Sequence, residues 1–248
     1  MNTGSFIIRG RPGLLTIVIA PIACVILSFT TPVAARALDC DLYHGSDPVR
    51  HPIAIYETAP MLGGVADVEE LIFDPRYGFE GRPPPAFDPP QSSVLFEIDI
   101  ATGLPRLDRS QQSIQGGEYM TLLVLGNAPG ALATSLTAIV GAPVSEPLAP
   151  PSFRTTGESL AGYELVSVAR QDDSAVERLQ VGVDRAEDGR ITSILSCDRR
   201  GVVPNPTCSV REEADRLQLK TTFLRDHLDE MDRIRNRAAD FAACLFEH

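Results

Sequence analysis

Tryptophan is absent, and aromatic residues make up 6% of the 248 positions. Polysaccharide-binding surfaces stack sugar rings on aromatic side chains, so this scarcity counts against a carbohydrate-binding module. Lysine is almost missing too. Lys220 is the single lysine among 22 basic residues, a pattern we read as genomic base-composition bias. The motifs that name a reaction are also lacking. No Gly-x-Ser-x-Gly elbow occurs, since Gly157-Glu158-Ser159-Leu160-Ala161-Gly162 is one residue out of register and lies in a loop leading to a strand. Neither a Gly-x-Gly-x-x-Gly turn, a phosphate-binding Gly-Lys-Ser/Thr nor a His-Glu-x-x-His is present. A carboxylate pair for glycoside hydrolysis could be drawn from any of 33 acids, so it carries no information. The reading is a non-catalytic chain with no cofactor, and an envelope hydrolase with scattered site residues is the alternative.

What is present begins at the N-terminus. Arg9 and Arg11 precede a charge-free run from Leu14 to Phe29, and Ala35-Arg36-Ala37 follows. That is the layout of a secretory signal peptide over residues 1–37, with small residues at the −3 and −1 cleavage positions. The run has 16 residues, short of the roughly 20 that a membrane-crossing helix needs. Pro21 lies inside it, and Thr30-Thr31-Pro32 ends it. Cleavage is expected after Ala37, or after Ala35, because Arg36 is unusual beside the site. An uncut anchor and a lipoprotein modified at Cys24 are the rivals. Export places the chain in the periplasm or outside the cell, where disulfides persist.

Residues 38–248 are then read as one exported domain, since 211 residues are enough for a well-formed core. The leader holds three of the basic residues and no acid, so this domain carries 19 basic against 33 acidic residues, a net charge of −14. Such a chain repels phosphate backbones, which excludes nucleic acid as an expected partner. A basic protein is a better fit, because opposite fields steer encounter. Solubility alone would also account for the acid.

Four cysteines remain: Cys40, Cys197, Cys208 and Cys244. An even number in an oxidising compartment reads as two disulfides, with three possible connectivities. Cys197 and Cys208 bracket a turn-rich stretch, Asp198–Thr207, and their pairing would pin it, which leaves Cys40 to meet Cys244. A zinc site is the rival, but Cys-x10-Cys without nearby histidines matches no finger spacing. His44 and His51 flank Asp47, with Asp39 and Asp41 upstream, and spacing alone does not bring three ligands together. His227 precedes Glu230 by three residues and reads as a solvated pair, while His248 ends the chain.

The fold expected is α+β: an antiparallel sheet with a C-terminal amphipathic helix packed on it, stapled by disulfides. Residues 38–92 read as loop-rich, although His51–Thr58 could form a strand. Val65–Phe73 is ambiguous between helix and strand. Gly78–Pro90 reads as a rigid Pro-rich loop. The sheet-and-helix core is expected over residues 93–248. Ser93–Ile100 and Glu118–Leu125 read as strands, Ala128–Val140 as a short helix, and residues 141–152 as a linker. Tyr163–Ala169, Val176–Val183 and Ile191–Cys197 read as successive antiparallel strands, with Asp188-Gly189 as a hairpin signal. A strand at Leu217–Phe223 and a helix from Leu224 to Phe246 complete the chain. The helix shows a stripe of Leu224, Leu228, Met231, Ile234, Ala238, Phe241 and Leu245 at steps of three and four.

Several of these pieces occur together in a recognisable order. Ile191–Cys197, then Val203-Pro204-Asn205-Pro206-Thr207-Cys208, then LQLKTTF and the helix opening Leu224-Arg225-Asp226-His227-Leu228 resemble a group of small exported Gram-negative proteins. The resemblance covers about 60 of the 248 residues, and its motifs are structural. It departs where Asp229-Glu230-Met231-Asp232 stands, since relatives often carry an aromatic there. Some members are thought to be immunity proteins against toxins, so the resemblance implies an inhibitor or immunity partner. A structural cell-envelope protein is a further reading. The partner-binding candidates are Arg199, Arg200, Val202 and Val203, in a loop held at both ends that would lose little entropy on binding. After leader removal no membrane contact is expected.

Overall fold

The computed structural model describes residues 38–56, 65–106, 117–126, 131–140, 155–167, 178–214 and 216–246. All of them fall in one compact unit, Leu38–His248. The leader, Cys24, the 141–152 linker and His248 lie outside the described residues. Among the described residues no helix is long and apolar enough to cross a membrane.

The centre of the molecule is an eight-stranded antiparallel sheet. In chain order its strands are β3 (Ser93–Asp99), β4 (Tyr119–Leu125), β5 (Thr155–Leu160), β6 (Tyr163–Val166), β7 (Leu179–Arg185), β8 (Ile191–Asp198), β9 (Thr207–Ala214) and β10 (Leu217–Leu224). Their spatial order is β3-β4-β10-β9-β8-β7-β6-β5. Period-two burial builds it: Val94, Phe96 and Ile98 of β3 and Met120, Leu122 and Val124 of β4 all turn into one core. The β7–β8 hairpin turns at Asp188-Gly189, where Gly189 takes φ +83°. The left-handed backbone there is what the Asp-Gly pair supplies.

The two faces are covered differently. On one, α3 (Met231–Ala243) lays Ile234, Ala238 and Phe241 against β4 and β10. The other face carries α2 (Ala131–Val140), whose Leu132, Leu136 and Val140 pack on Val166, Val181, Val183 and Ile194. Ile194 and Leu195 are consecutive in β8 and feed opposite cores, as alternation requires.

A second sheet of two strands, β1 (Val49–Tyr56) and β2 (Val65–Phe73), adds Ile53, Ile55, Leu71 and Phe73 to the larger core. Five aromatic rings knit this region, with Tyr43, Phe73, Tyr77, Phe96 and Phe241 at centroid separations of 4.8–6.1 Å. Tyr77 is fully buried and donates from its hydroxyl to the Gly103 carbonyl at 2.9 Å. Gly126 is required where it sits: a Cβ there would lie 2.1 Å from the Ala54 carbonyl oxygen.

The structure differs from the sequence expectation in four places. Residues 38–92 are more regular than loop-rich, holding β1, β2 and the short helix α1 (Asp41–His44). Val65–Phe73 resolves to a strand because its hairpin partner supplies the backbone bonds. Two strands were not expected. In β9, polar Ser209, Arg211 and Glu213 alternate with Cys208, Val210 and Glu212, which blurs the apolar signal. Strand β5 is an edge with every position but Leu160 exposed. The last helix also begins later than Leu224: Arg225–Glu230 form a 3-10 stretch before α3.

Candidate partner-binding face

Cys197 and Cys208 are direct cross-strand neighbours on β8 and β9, disulfide-bonded with Cα atoms 4.0 Å apart. The loop they close is shorter than Asp198–Thr207, because those two residues belong to the strands. Asp198 is buried and forms the root of the loop. Its carboxylate accepts from Arg178 Nε at 2.8 Å and from the backbone N–H and hydroxyl of Thr207, each at 3.1 Å. Burial alone would raise this carboxyl, but those hydrogen bonds outweigh it and hold Asp198 below the ordinary carboxylate range.

Beneath the loop lies Arg225, which is buried. It donates from Nη1 to the Asp198 carbonyl and from Nη2 to Gln180 Oε1 at 2.6 Å, while its backbone N–H reaches the Pro206 carbonyl at 2.9 Å. The tip is the exposed part. Arg199, Arg200 and Val202 face solvent and Val203 is half-buried. Val202 is an apolar residue 51% exposed. Arg200 forms an exposed ion pair with Asp226 at 3.3 Å, whereas Arg199 forms no ion pair among the described residues. Gly201 takes φ +81° with open space around it, which fits a tight, solvent-facing turn.

The second disulfide joins Cys40 to Cys244. His44 Nε2 lies 2.6 Å from the Cys244 carbonyl oxygen, and the Leu245 carbonyl accepts from Ile72 N–H at 2.7 Å. His44 is therefore part of the clasp between the two ends of the fold. His51 is buried in β1, and burial lowers its pKa below the ordinary 6.5. The two histidines serve different structural places, and among the described residues no three His, Cys, Asp or Glu side chains gather as a metal site would need. His227 Nδ1 lies 2.9 Å from Glu230 Oε1, the local pair its spacing predicts, although both side chains are half-buried rather than solvated.

Among the described residues, two clefts beside the sheet bear on recognition. One, of about 480 Å³, lies between β9 and α3 and is lined by Glu212, Glu213, Asp232 and Arg235. Its arginine is engaged, since Arg235 Nε donates to Glu212 Oε1 at 2.8 Å. The other, of about 420 Å³, is apolar and lies under Phe79 and Pro83–Pro85, with Leu95 and Leu123 in its floor. On the same sheet face, Arg211 of β9 and Lys220 of β10 are direct cross-strand neighbours. Sequence reasoning met Lys220 as the single lysine without giving it a site, and passed over Arg211. The signal that could have found them is one lysine in the whole chain, placed at a strand position.

The molecule is thus of the α+β class, an antiparallel sheet with a helix on each face and disulfides at its loop and its ends. The solved structure of Smlt3025, an immunity protein of the Stenotrophomonas maltophilia type IV secretion system, is similar to it. The TM-score is 0.54 at 12% sequence identity, covering 84% of this chain and 98% of that one. At that identity the likeness is one of fold. No family model matches the sequence, and no curated protein matches it.

Proposed function

We propose that this chain is an exported, non-catalytic binding protein that neutralises a toxin or envelope hydrolase by occupying it, in the manner of an immunity protein. The observation that carries the reading is the shared fold: Smlt3025, named as an immunity protein, is matched over 98% of its length. Supporting it are a disulfide-closed loop with a solvent-facing Arg199–Val202 tip and a net charge of −14 after residue 37. An acidic surface favours encounter with a basic partner. The leader layout over residues 1–37 and the two disulfides fit a periplasmic site of action, with a mature chain beginning at Leu38.

The test is co-expression. A secreted effector encoded beside this gene, directed to the periplasm, should arrest growth alone and fail to do so when this chain is exported with it. The purified pair should elute as one complex. Export should leave a protein whose mass begins at Leu38. Growth arrest that persists despite exported, folded protein would overturn the reading for that effector, and turnover of an envelope substrate by the purified chain would replace it with an enzymatic one.

A further inference from the structure

One row of side chains crosses the sheet face that carries α2. Register places Leu95 of β3 opposite Leu123 of β4, Leu123 opposite Lys220 of β10, Lys220 opposite Arg211 of β9, and Arg211 opposite Ile194 of β8. Towards one end Ile194 lies under α2. At the other, Leu95 and Leu123 floor the apolar groove beneath Phe79 and Pro83–Pro85. Neighbouring strands are about 4.8 Å apart, so the groove and the two cations form one continuous strip.

The two cations in the middle are out of place for stability. Like charges directly opposite in a sheet repel. Both groups are partly withdrawn from water, and burial pulls each below its ordinary pKa, with Arg211 adding to the effect on Lys220. Arg211 Nε is buried, with no hydrogen-bond partner among the described residues. Nearby charges on this face are engaged elsewhere: Glu213 lies 3.9 Å from Arg190, and Glu97 is bonded to Arg106 at 3.2 Å. Glu164, at the far end of the row beyond Val183, is exposed. Among the described residues no carboxylate forms an ion pair with Arg211 or Lys220. A desolvated, unbalanced cation pair beside an apolar groove is complementary to an acid next to an apolar side chain.

We propose that this strip docks an extended acidic–apolar segment of a protein partner, its carboxylate held between Arg211 and Lys220 and its apolar side chain seated under Phe79 and Pro83–Pro85. The identity of that partner rests on the immunity reading, whereas the site itself does not. In a chain of net negative charge the strip is a local exception, so it selects one acidic feature within a partner drawn in by its basic surface.

The single lysine makes the test direct. Protein labelled with [¹³C]lysine gives one side-chain signal, that of Lys220, in the wild-type fold. Titration with a blocked Leu-Glu-Leu-Glu-Leu peptide should move this signal and raise its titration midpoint. The Leu-Gln-Leu-Gln-Leu peptide should bind at least about tenfold more weakly, as should the Glu peptide to Arg211→Gln protein. Lys220→Met, followed by calorimetry, gives the same loss if Arg211→Gln fails to fold. Equal response to both peptides, no response at all, or an equal response to acetate would overturn the docking site. With the toxin in hand the arms separate. Tight binding that leaves the Lys220 signal unmoved removes this site and keeps the immunity reading. Peptide binding without toxin binding does the reverse.

Discussion

Arg225 donates from its guanidinium to the main-chain carbonyl of Asp198, so the first residue after β10 props the last residue of β8. The contact joins positions 27 apart and sits directly under the disulfide loop. It explains why a charged residue is buried at that point: it satisfies a strand-end carbonyl and the Gln180 side chain together. Arg225→Met keeps the stem and removes the donors. We expect it to cost about 2–3 kcal/mol, the scale of stranding buried acceptors bonded to a charge. That corresponds to a fall in Tm of about 5–10 °C for a domain of this size. Limited proteolysis should also cut near Gly201 sooner. An unchanged Tm would show that Asp198 is held by Arg178 and Thr207 alone.

Acid sensitivity should have two separable parts. His51 is buried with its pKa lowered by desolvation, below the unfolded value of 6.5. Its contribution is fully present above pH 6.5 and declines as pH falls from there towards the folded pKa, because the unfolded chain takes up the proton first. Asp198, also depressed, contributes above its ordinary 3.8 and loses that contribution as pH falls through its lower folded value. Denaturant melts in a pH series should therefore show a shallow loss beginning near pH 6.5 and a steeper one below 4. His51→Leu should remove the first and leave the second. If the shallow limb survives that substitution, another group carries it.

The ends of the fold depend on one covalent bond. Cys40 and Cys244 are 204 positions apart with Cα atoms at 5.3 Å, so the bond closes almost the whole domain. On chain-entropy grounds a ring that long contributes up to about 5 kcal/mol, and the 11-position ring of Cys197–Cys208 about 3 kcal/mol. Non-reducing peptide mapping should recover these two pairs. Cys40→Ala with Cys244→Ala should destabilise more than Cys197→Ala with Cys208→Ala. The reverse order would mean that His44 and the Ile72–Leu245 bond already hold the clasp without sulfur.

Wherever one physical rule governed an element, the sequence showed it. The stripe Met231, Ile234, Ala238 and Phe241 at steps of three and four is a helix face, and Asp188-Gly189 is a turn. The β9 strand was hidden because it is polar on the face that is only half-covered, where Arg211 and Glu213 replace the apolar residues of an ordinary interior strand. Edge strand β5 was hidden because an exposed edge has no apolar requirement. The candidate loop was legible from two cysteines and a run of turn residues. Its root was not, since nothing local says that Arg225, beyond two entire strands, would fill the space under Asp198. The Arg211–Lys220 pair depends on register between two strands, and one of those strands had no signal of its own.

If the disulfide loop is the recognition element, its contacts come from the tip. Arg199, Arg200, Gly201 and Val202 are exposed, while Val203 is half-buried and Arg200 pairs with Asp226. Arg199 and Val202 can therefore be changed with least effect on the fold, since solvent-facing substitutions away from such contacts are usually within about 0.5 kcal/mol. Arg199→Ser combined with Val202→Ser should leave Tm within about 2 °C and weaken partner binding at least about thirtyfold, the loss expected when an arginine and an apolar anchor leave an interface core. Most of that change should appear in the dissociation rate. Arg199→Ser alone should instead act mainly on association, and more at low salt, because an exposed charge steers encounter. Normal binding by the folded double variant would make the loop a connection between two strands and move recognition to the strip formed by Arg211, Lys220 and the groove beside them.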